Sequence, residues 1–439
     1  MCRSEPRGQP VYPDRNPLYG FEEIMTVDGA KFLPCGRQYI DDDDIEAVVE
    51  VLRGDWLTTG PAVHKFETLF SRTVDADYVA SCSSGAAARH LACMALGLGP
   101  QDRVIVPAIS FIATANAAAY CGADIIFADV DPDTGLLTAE NVLNSIKGLT
   151  RKELKSVKAI VPVNLFGQVA EIEAIREIAD QYGWKLIIDS CHALGATYRT
   201  RAGQSQTVGD CHFSDMEVFS FSPMNVMTLG EGGAVTTNDE LIYDRLCLLR
   251  NQGMQRDPEK WVRECDGKIP PPWYYEMQLL GYNYRQSDIH SALGLSQLKK
   301  LPGFIAQRDR LAAKYDALLA GVSPHIRPLE RVENCSAVRR LYPALIDFEA
   351  LGEDRTIFIN QLAVRNVGAQ VYYMPAYSHP FYVGNYGPIS RPGAERFYQR
   401  ILCLPLHASM TEDDVVHVVD QIRDILGMLA ARGKKVASS

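Results

Sequence analysis

The stretch RVIVPAISFIATANAAAYCGADIIFADV, residues 103–130, decides the fold. RVIVPA is a short run of β-branched residues, and ADIIFADV is a second one. Between them FIATANAAAYCG is rich in Ala and has helical spacing. A strand, a crossover of this length and a second strand make one βαβ unit, whose strands run parallel. The same alternation continues on both sides. YVASCS (78–83) leads into GAAARHLACMALGL (85–98), and AIVPVNL (159–165) leads into EIEAIREIADQYG (171–183). KLIIDSC (185–191) follows. The nearly continuous apolar strands predict a sheet buried on both faces, the mark of an α/β protein. In such sheets the ligand lies beyond the carboxyl ends of the strands. SCSSGAA, ISFIATAN, VNLFGQ and IIDSCHALGA all fall there.

Outside this block the pattern changes. Residues 1–31 are rich in Pro, Gly and Arg and read as an N-terminal extension. DDDDIEAVVEVLRGDW predicts a helix with Ile45, Val48, Val49 and Leu52 on its apolar face. Asp41 to Asp44 would cap its N-terminus, a stronger reading than a metal site. Residues 32–285 read as the larger domain, which holds these strand ends. Residues 286–432 predict a smaller α+β domain, with two long helices broken at Pro302-Gly303. Its short strands fall near LYPALIDF and AQVYYMP, and its last helix lies in DDVVHVVDQIRDILGMLAARG. Residues 433–439 read as a tail.

Composition narrows the function. The chain has 439 residues, with 44 Lys and Arg against 54 Asp and Glu, a net charge of −10. A basic excess is missing, which argues against nucleic acid as a partner. No run of apolar residues is long enough to cross a membrane. The 11 Cys are all at least eleven positions apart, which argues against disulfide frameworks and zinc knuckles. Reduced, buried thiols in a cytoplasmic protein are the expectation.

Several positions stand out at strand ends. Ser83-Ser84-Gly85-Ala86 opens a helix, where free amide groups suit a phosphate. Asp189 ends a strand, with His192 three residues on. Phe111 starts another helix. In FSFSPMNVMTLGEGGAVTTND (219–239), one Pro and three Gly residues hold a loop in an unusual path. Taken alone, each also fits an ordinary structural role: helix cap, surface acid, core aromatic or turn.

Together, and in this order, these motifs resemble the DegT/StrS family of sugar aminotransferases. The shared stretches include PCGRQYI, WLTTGP, RHLACMALGLG, AYCGA, DSCHALGA, EGGAVTTND, LGYNYR and ALGLSQLKKL. With PPWYYE (271–276), the pattern is most similar to the branch of the pseudaminic acid pathway, which acts on a UDP-linked 4-keto-6-deoxy amino sugar. The resemblance implies a type I aminotransferase fold, with a seven-stranded, mostly parallel sheet. It implies pyridoxal or pyridoxamine phosphate as cofactor, a keto nucleotide sugar as substrate, and a homodimer with shared active sites. It places Gly85, Ala86 and Ser220 at the cofactor phosphate, with Asn283 reaching the phosphate of the neighbouring subunit. Phe111 falls over the ring, Asp189 at the ring nitrogen and His192 beside the ring hydroxyl. Thr59 and Gly60 fall at the sugar edge. Arg285 and Arg340 are candidates for the substrate diphosphate on charge alone.

One position breaks the pattern. The family's Schiff-base Lys falls on Asn225, and no Lys lies between Lys185 and Lys260. An amide nitrogen is neither nucleophilic nor basic at neutral pH, so this position supports neither covalent cofactor attachment nor proton transfer. Ala86, Asn164, Arg340 and Tyr372 also depart from the family's Thr and His residues. Three functions remain open. The chain is an enzyme on keto nucleotide sugars that binds its cofactor non-covalently, including a dehydratase using pyridoxamine phosphate, with His192 as surrogate base. Or it is a non-catalytic homologue, such as a subunit paired with an intact paralogue. Or it is an aminotransferase altered at one Lys.

Overall fold

A computed structural model describes residues 32–263 and 271–437. The expected N-terminal extension lies outside the described residues, as do Cys2 and Cys265. Seven strands build the main sheet: β1 (Tyr78–Cys82), β2 (Arg103–Pro107), β3 (Asp124–Ala128), β4 (Val157–Ile160), β5 (Lys185–Asp189), β6 (Met216–Ser220) and β7 (Gly233–Thr237). Their order is β1-β7-β6-β5-β4-β2-β3. β7 runs antiparallel to both its neighbours, and the other pairings are parallel. The loop rich in Pro and Gly turns the chain back between β6 and β7. That turn is why a single strand runs against the rest.

Helices pack on both faces. Those before the site are α1 (Asp42–Arg53), α2 (Pro61–Val74), α3 (Gly85–Ala95) and α4 (Ala113–Tyr120). One buried cluster gathers Leu91, Val104, Val106, Phe127 and Val218, and a second gathers Phe66, Phe70, Ile105, Ile160, Leu186 and Phe219. Alternate residues of β2 thus serve opposite faces, as the pleat requires.

The acidic N-terminus of α1 is a cap. Asp41 and Asp44 form a reciprocal capping box, and Lys300 pairs with both carboxylates. The predicted apolar face of α1 is only partly covered, because Ile45 and Leu52 are exposed. The buried side of α1 instead carries Asp44, which accepts a hydrogen bond from Gln297 at 2.8 Å.

Pro302 does not break the chain into two helices. A single helix, α5, spans Asp288–Leu319 with Pro302 inside. Its first half buries Leu298, Leu301 and Phe304 against the large sheet's core, and its second half buries Leu311, Tyr315 and Leu319 with the C-terminal helix. Burial on both sides of the proline outweighs one missing hydrogen bond. The small sheet is β8 (Ile326–Pro328), β9 (Tyr342–Ile346) and β10 (Ile401–Leu404), antiparallel in the order β8-β9-β10. The segment AQVYYMP forms no strand; Gln370 makes one bridge to Cys403. The last helix, α6, spans Glu412–Ala437, so most of the expected tail is helical backbone. No described helix is long and apolar enough to cross a membrane.

Candidate functional site

The carboxyl ends of β5 and β6 and the N-terminus of α3 converge, as the alternation predicted. Ser84 caps α3, its Oγ accepting the Ala87 N–H at 3.1 Å. A Cβ placed on Gly85 would lie 2.4 Å from Ser220 Cβ and 2.7 Å from its Oγ. Only glycine allows the α3 turn to approach Ser220 this closely. Gly85 and Ser220 therefore meet, and Ala86 stands exposed beside them. Phe111 stands at the mouth, 49% exposed, its ring centroid 5.8 Å from that of Tyr373.

Asp189 is 1% exposed and fully engaged by the chain's own groups. Arg89 donates to both carboxylate oxygens, Nε at 2.6 Å and Nη2 at 3.0 Å. Thr114 Oγ1 adds a bond of 2.7 Å and the Cys191 N–H one of 3.3 Å. Burial would raise the Asp189 pKa, but the Arg89 guanidinium outweighs it and holds the carboxyl below its usual range. Arg89 comes from α3, one turn beyond Gly85, so both face the same pocket. It was not singled out in the sequence. The available signal was a long cation on a helix otherwise made mostly of Ala and Leu.

Asn225 sits in the turn after β6. Its Nδ2 donates to the Ser220 carbonyl at 2.7 Å and to Ser222 Oγ at 3.2 Å. Arg340 Nη1 donates to Asn225 Oδ1 at 3.1 Å and to the Met224 carbonyl at 2.9 Å. The Arg340 guanidinium also lies over the Tyr372 ring, 5.1 Å from its centroid. Arg308 donates weakly to the Asn225 carbonyl, at 3.5 Å. Asn225 is thus a hub of structural hydrogen bonds, with no group directed at a reacting carbon.

His192 is held on both ring nitrogens. The Phe166 N–H donates to Nδ1 at 3.4 Å, which leaves the ring proton on Nε2, 3.2 Å from Tyr373 Oη. Burial pulls its pKa well below the usual value, and the charges of Arg340 and Arg89 pull it further. The Phe166 N–H contact at Nδ1 bears against the expected role of His192 as a surrogate base. Cys82 and Cys191 are buried, and burial pushes the Cys82 thiol up to about 12 and Cys191 well above its usual value. Neither is poised as a nucleophile.

The substrate candidates divide between two places. Thr59, Gly60 and Arg285 line one cleft of ≈ 440 Å³, together with Glu67, Arg250 and Asn251. Arg285 Nη1 donates to Asn251 Oδ1 at 2.8 Å, and the Gly60 N–H donates to Asp288 at 2.6 Å. Arg340 lies apart from them, at the Asn225 turn. Asn283 is exposed and bridges to Asn251 in the segment running beside Cys82. It serves no phosphate position within its own chain.

Pyridoxal or pyridoxamine phosphate would meet Gly85 and Ser220 favourably, but not the rest of this pocket. Its protonated ring nitrogen would need Asp189, whose two oxygens already hold Arg89. No amine stands at Asn225.

The chain belongs to the DegT/DnrJ/EryC1/StrS aminotransferase family, whose model matches residues 38–423. It is 34% identical over 400 residues to the spore coat polysaccharide biosynthesis protein SpsC of Bacillus subtilis, covering 90% of this chain and 97% of SpsC. Helicobacter pylori PseC, an aminotransferase involved in the biosynthesis of pseudoaminic acid, superposes with a TM-score of 0.80 at 27% identity, covering 91% of this chain and 100% of that one. The putative sugar aminotransferase Spr1654 from Streptococcus pneumoniae, in its PLP form, gives 0.78 at 25% identity over 91% and 99%. The fold is therefore of the type I aminotransferase kind. The same relative is also known in a PMP form, so this cofactor belongs to the family.

Proposed function

We propose that this member of a sugar aminotransferase family serves as a non-catalytic subunit in nucleotide-sugar biosynthesis. It pairs with a lysine-bearing relative and lends residues to that relative's active site. The reading rests on Asn225, which the family resemblance aligns with the Schiff-base Lys; the observation that carries it is an amide bonded to protein groups at both ends. Transamination through this turn has no nucleophile and no proton carrier. A dehydratase on pyridoxamine phosphate draws no support from His192, whose Nδ1 faces the Phe166 N–H.

Several features favour a subunit over a degenerate remnant. Asn283 is exposed, and Arg285 beside it opens on a cleft. In sequence Asn283 is preceded by exposed Trp273, Met277, Leu280 and Tyr282, and the α1 side offers Ile45, Leu52 and Trp56. Large apolar groups left open in one chain are what an obligate interface covers. The substrate of the joint site is a keto nucleotide sugar, in keeping with the polysaccharide and glycan-sugar roles of SpsC and PseC. The unpaired thiols suit a cytoplasmic assembly.

Coexpression with a lysine-bearing family member tests this. Native mass spectrometry is expected to find a mixed dimer, and Asn283→Ala is expected to weaken cofactor retention in the partner's site. Turnover of a UDP-linked 4-keto sugar by this chain alone would sink the proposal. A chain that pairs only with itself would sink it equally.

A further inference from the structure

We infer that Arg89 is an internal substitute for the cofactor ring, so that this chain closes its own cofactor pocket and folds without the cofactor. The inference rests on the correspondence of the Asp189 pocket to the family's cofactor site, and not on the mixed dimer.

A protonated pyridine presents one cationic N–H to a buried carboxylate. The Arg89 guanidinium presents two, in the bidentate geometry that arginine makes best. Both partners are buried, Arg89 at 8% and Asp189 at 1% exposure. Thr114 and the Cys191 N–H complete the carboxylate's shell. A second cation has no oxygen left to take. The guanidinium also reaches back to the phosphate end: Arg89 Nη1 lies 3.2 Å from a Cβ placed on Gly85. One guanidinium thus touches both the Gly85 turn and Asp189. Displacing it would strand a buried cation among apolar groups, since α3 packs with Leu91 and Ala92 in the core.

Two obstacles to cofactor chemistry are therefore independent. Asn225 removes the amine, and Arg89 removes the seat. Restoring the amine alone does not reopen the site.

Titration with pyridoxal phosphate and pyridoxamine phosphate, followed by fluorescence and absorbance, tests this on four proteins: the wild type, Arg89→Leu, Asn225→Lys and the double variant. The wild type and Asn225→Lys are expected to show no saturable binding and no Schiff-base absorbance. Arg89→Leu is expected to bind the amine form saturably, at concentrations at least about tenfold below any at which the wild type responds, as Asp189 regains an open valence. The double variant is expected to show the yellow Schiff base. If Arg89→Leu fails to fold, the wild type and Asn225→Lys still decide the matter. Saturable binding of pyridoxamine phosphate by the wild type, or a Schiff base in Asn225→Lys alone, overturns the inference. Either result leaves the non-catalytic reading standing unless turnover accompanies it.

Discussion

Asp189→Asn is expected to destabilise the folded chain by about 3–5 kcal/mol, the range for removing one partner of a buried ion pair. The substitution barely changes shape. It leaves the Arg89 guanidinium buried against an amide, with one N–H facing an amide nitrogen instead of an oxygen. Arg89 cannot relieve the loss by giving up its proton, because a guanidinium stays charged at any workable pH. The companion variant Arg89→Leu leaves Asp189 with Thr114 and the Cys191 N–H, so its carboxylate retains two of its four bonds. The double variant Arg89→Leu, Asp189→Asn removes both charges. It is expected to lose much less than the sum of the singles, with a coupling of a few kcal/mol. Denaturant titration of all four proteins measures the cycle. Additive losses would show that the two side chains do not depend on each other.

Stability is also expected to fall as pH rises through neutrality, and Glu217 is the cause. This β6 residue is buried behind the site. Ser190 Oγ donates to Glu217 Oε2 at 2.6 Å, and Asn164 Nδ2 donates to Ser190 Oγ at 3.1 Å. Burial pushes the Glu217 carboxyl up to about 8, from a reference of 4.5, against the opposing effect of the Ser190 bond. The folded chain therefore holds a proton that the unfolded chain has released. The stabilisation is complete below the unfolded pKa of 4.5 and is lost as pH climbs through about 8. Between these limits the loss approaches about 1.4 kcal/mol per pH unit. Glu217→Gln keeps the shape and stays neutral, so its stability curve is expected to be flat relative to wild type. Denaturation midpoints from about pH 5 to about pH 8 give the comparison. Parallel curves for the two proteins would remove Glu217 as the cause.

Much of this was legible beforehand. The apolar runs at 103–107, 124–128 and 185–189 alternate with helical segments, and that local period is enough to specify parallel strands with a site at their carboxyl ends. The positions of Gly85, Asp189 and Ser220 at those ends followed. So did the absence of an amine at Asn225, since a residue's chemistry does not depend on its neighbours. The C-terminal part was less legible. Pro302 reads as a breaker by its own geometry, and only the two cores that α5 joins keep the helix whole. AQVYYMP has a strand's composition but meets only one bridging partner.

The state of the site was decided in three dimensions. Arg89 and Asp189 are 100 residues apart, and nothing local in either segment says they touch. Helical spacing put Arg89 on the face of Gly85, and strand alternation put Asp189 at a sheet end, but their meeting depends on how α3 docks against β5 and β6. Arg285 and Arg340 had equal standing by charge, yet the fold sends one to an open cleft and the other to the Asn225 turn. His192, a candidate base by its residue type, has the Phe166 N–H directed at its Nδ1 by the fold. The sequence alone determined the strands of the main sheet, their order along the chain and the amide at Asn225, because those depend on local period and side-chain chemistry. Whether the pocket stands open or filled was settled only by tertiary packing, because a buried charge takes its partner from whatever residue the fold brings within hydrogen-bond reach.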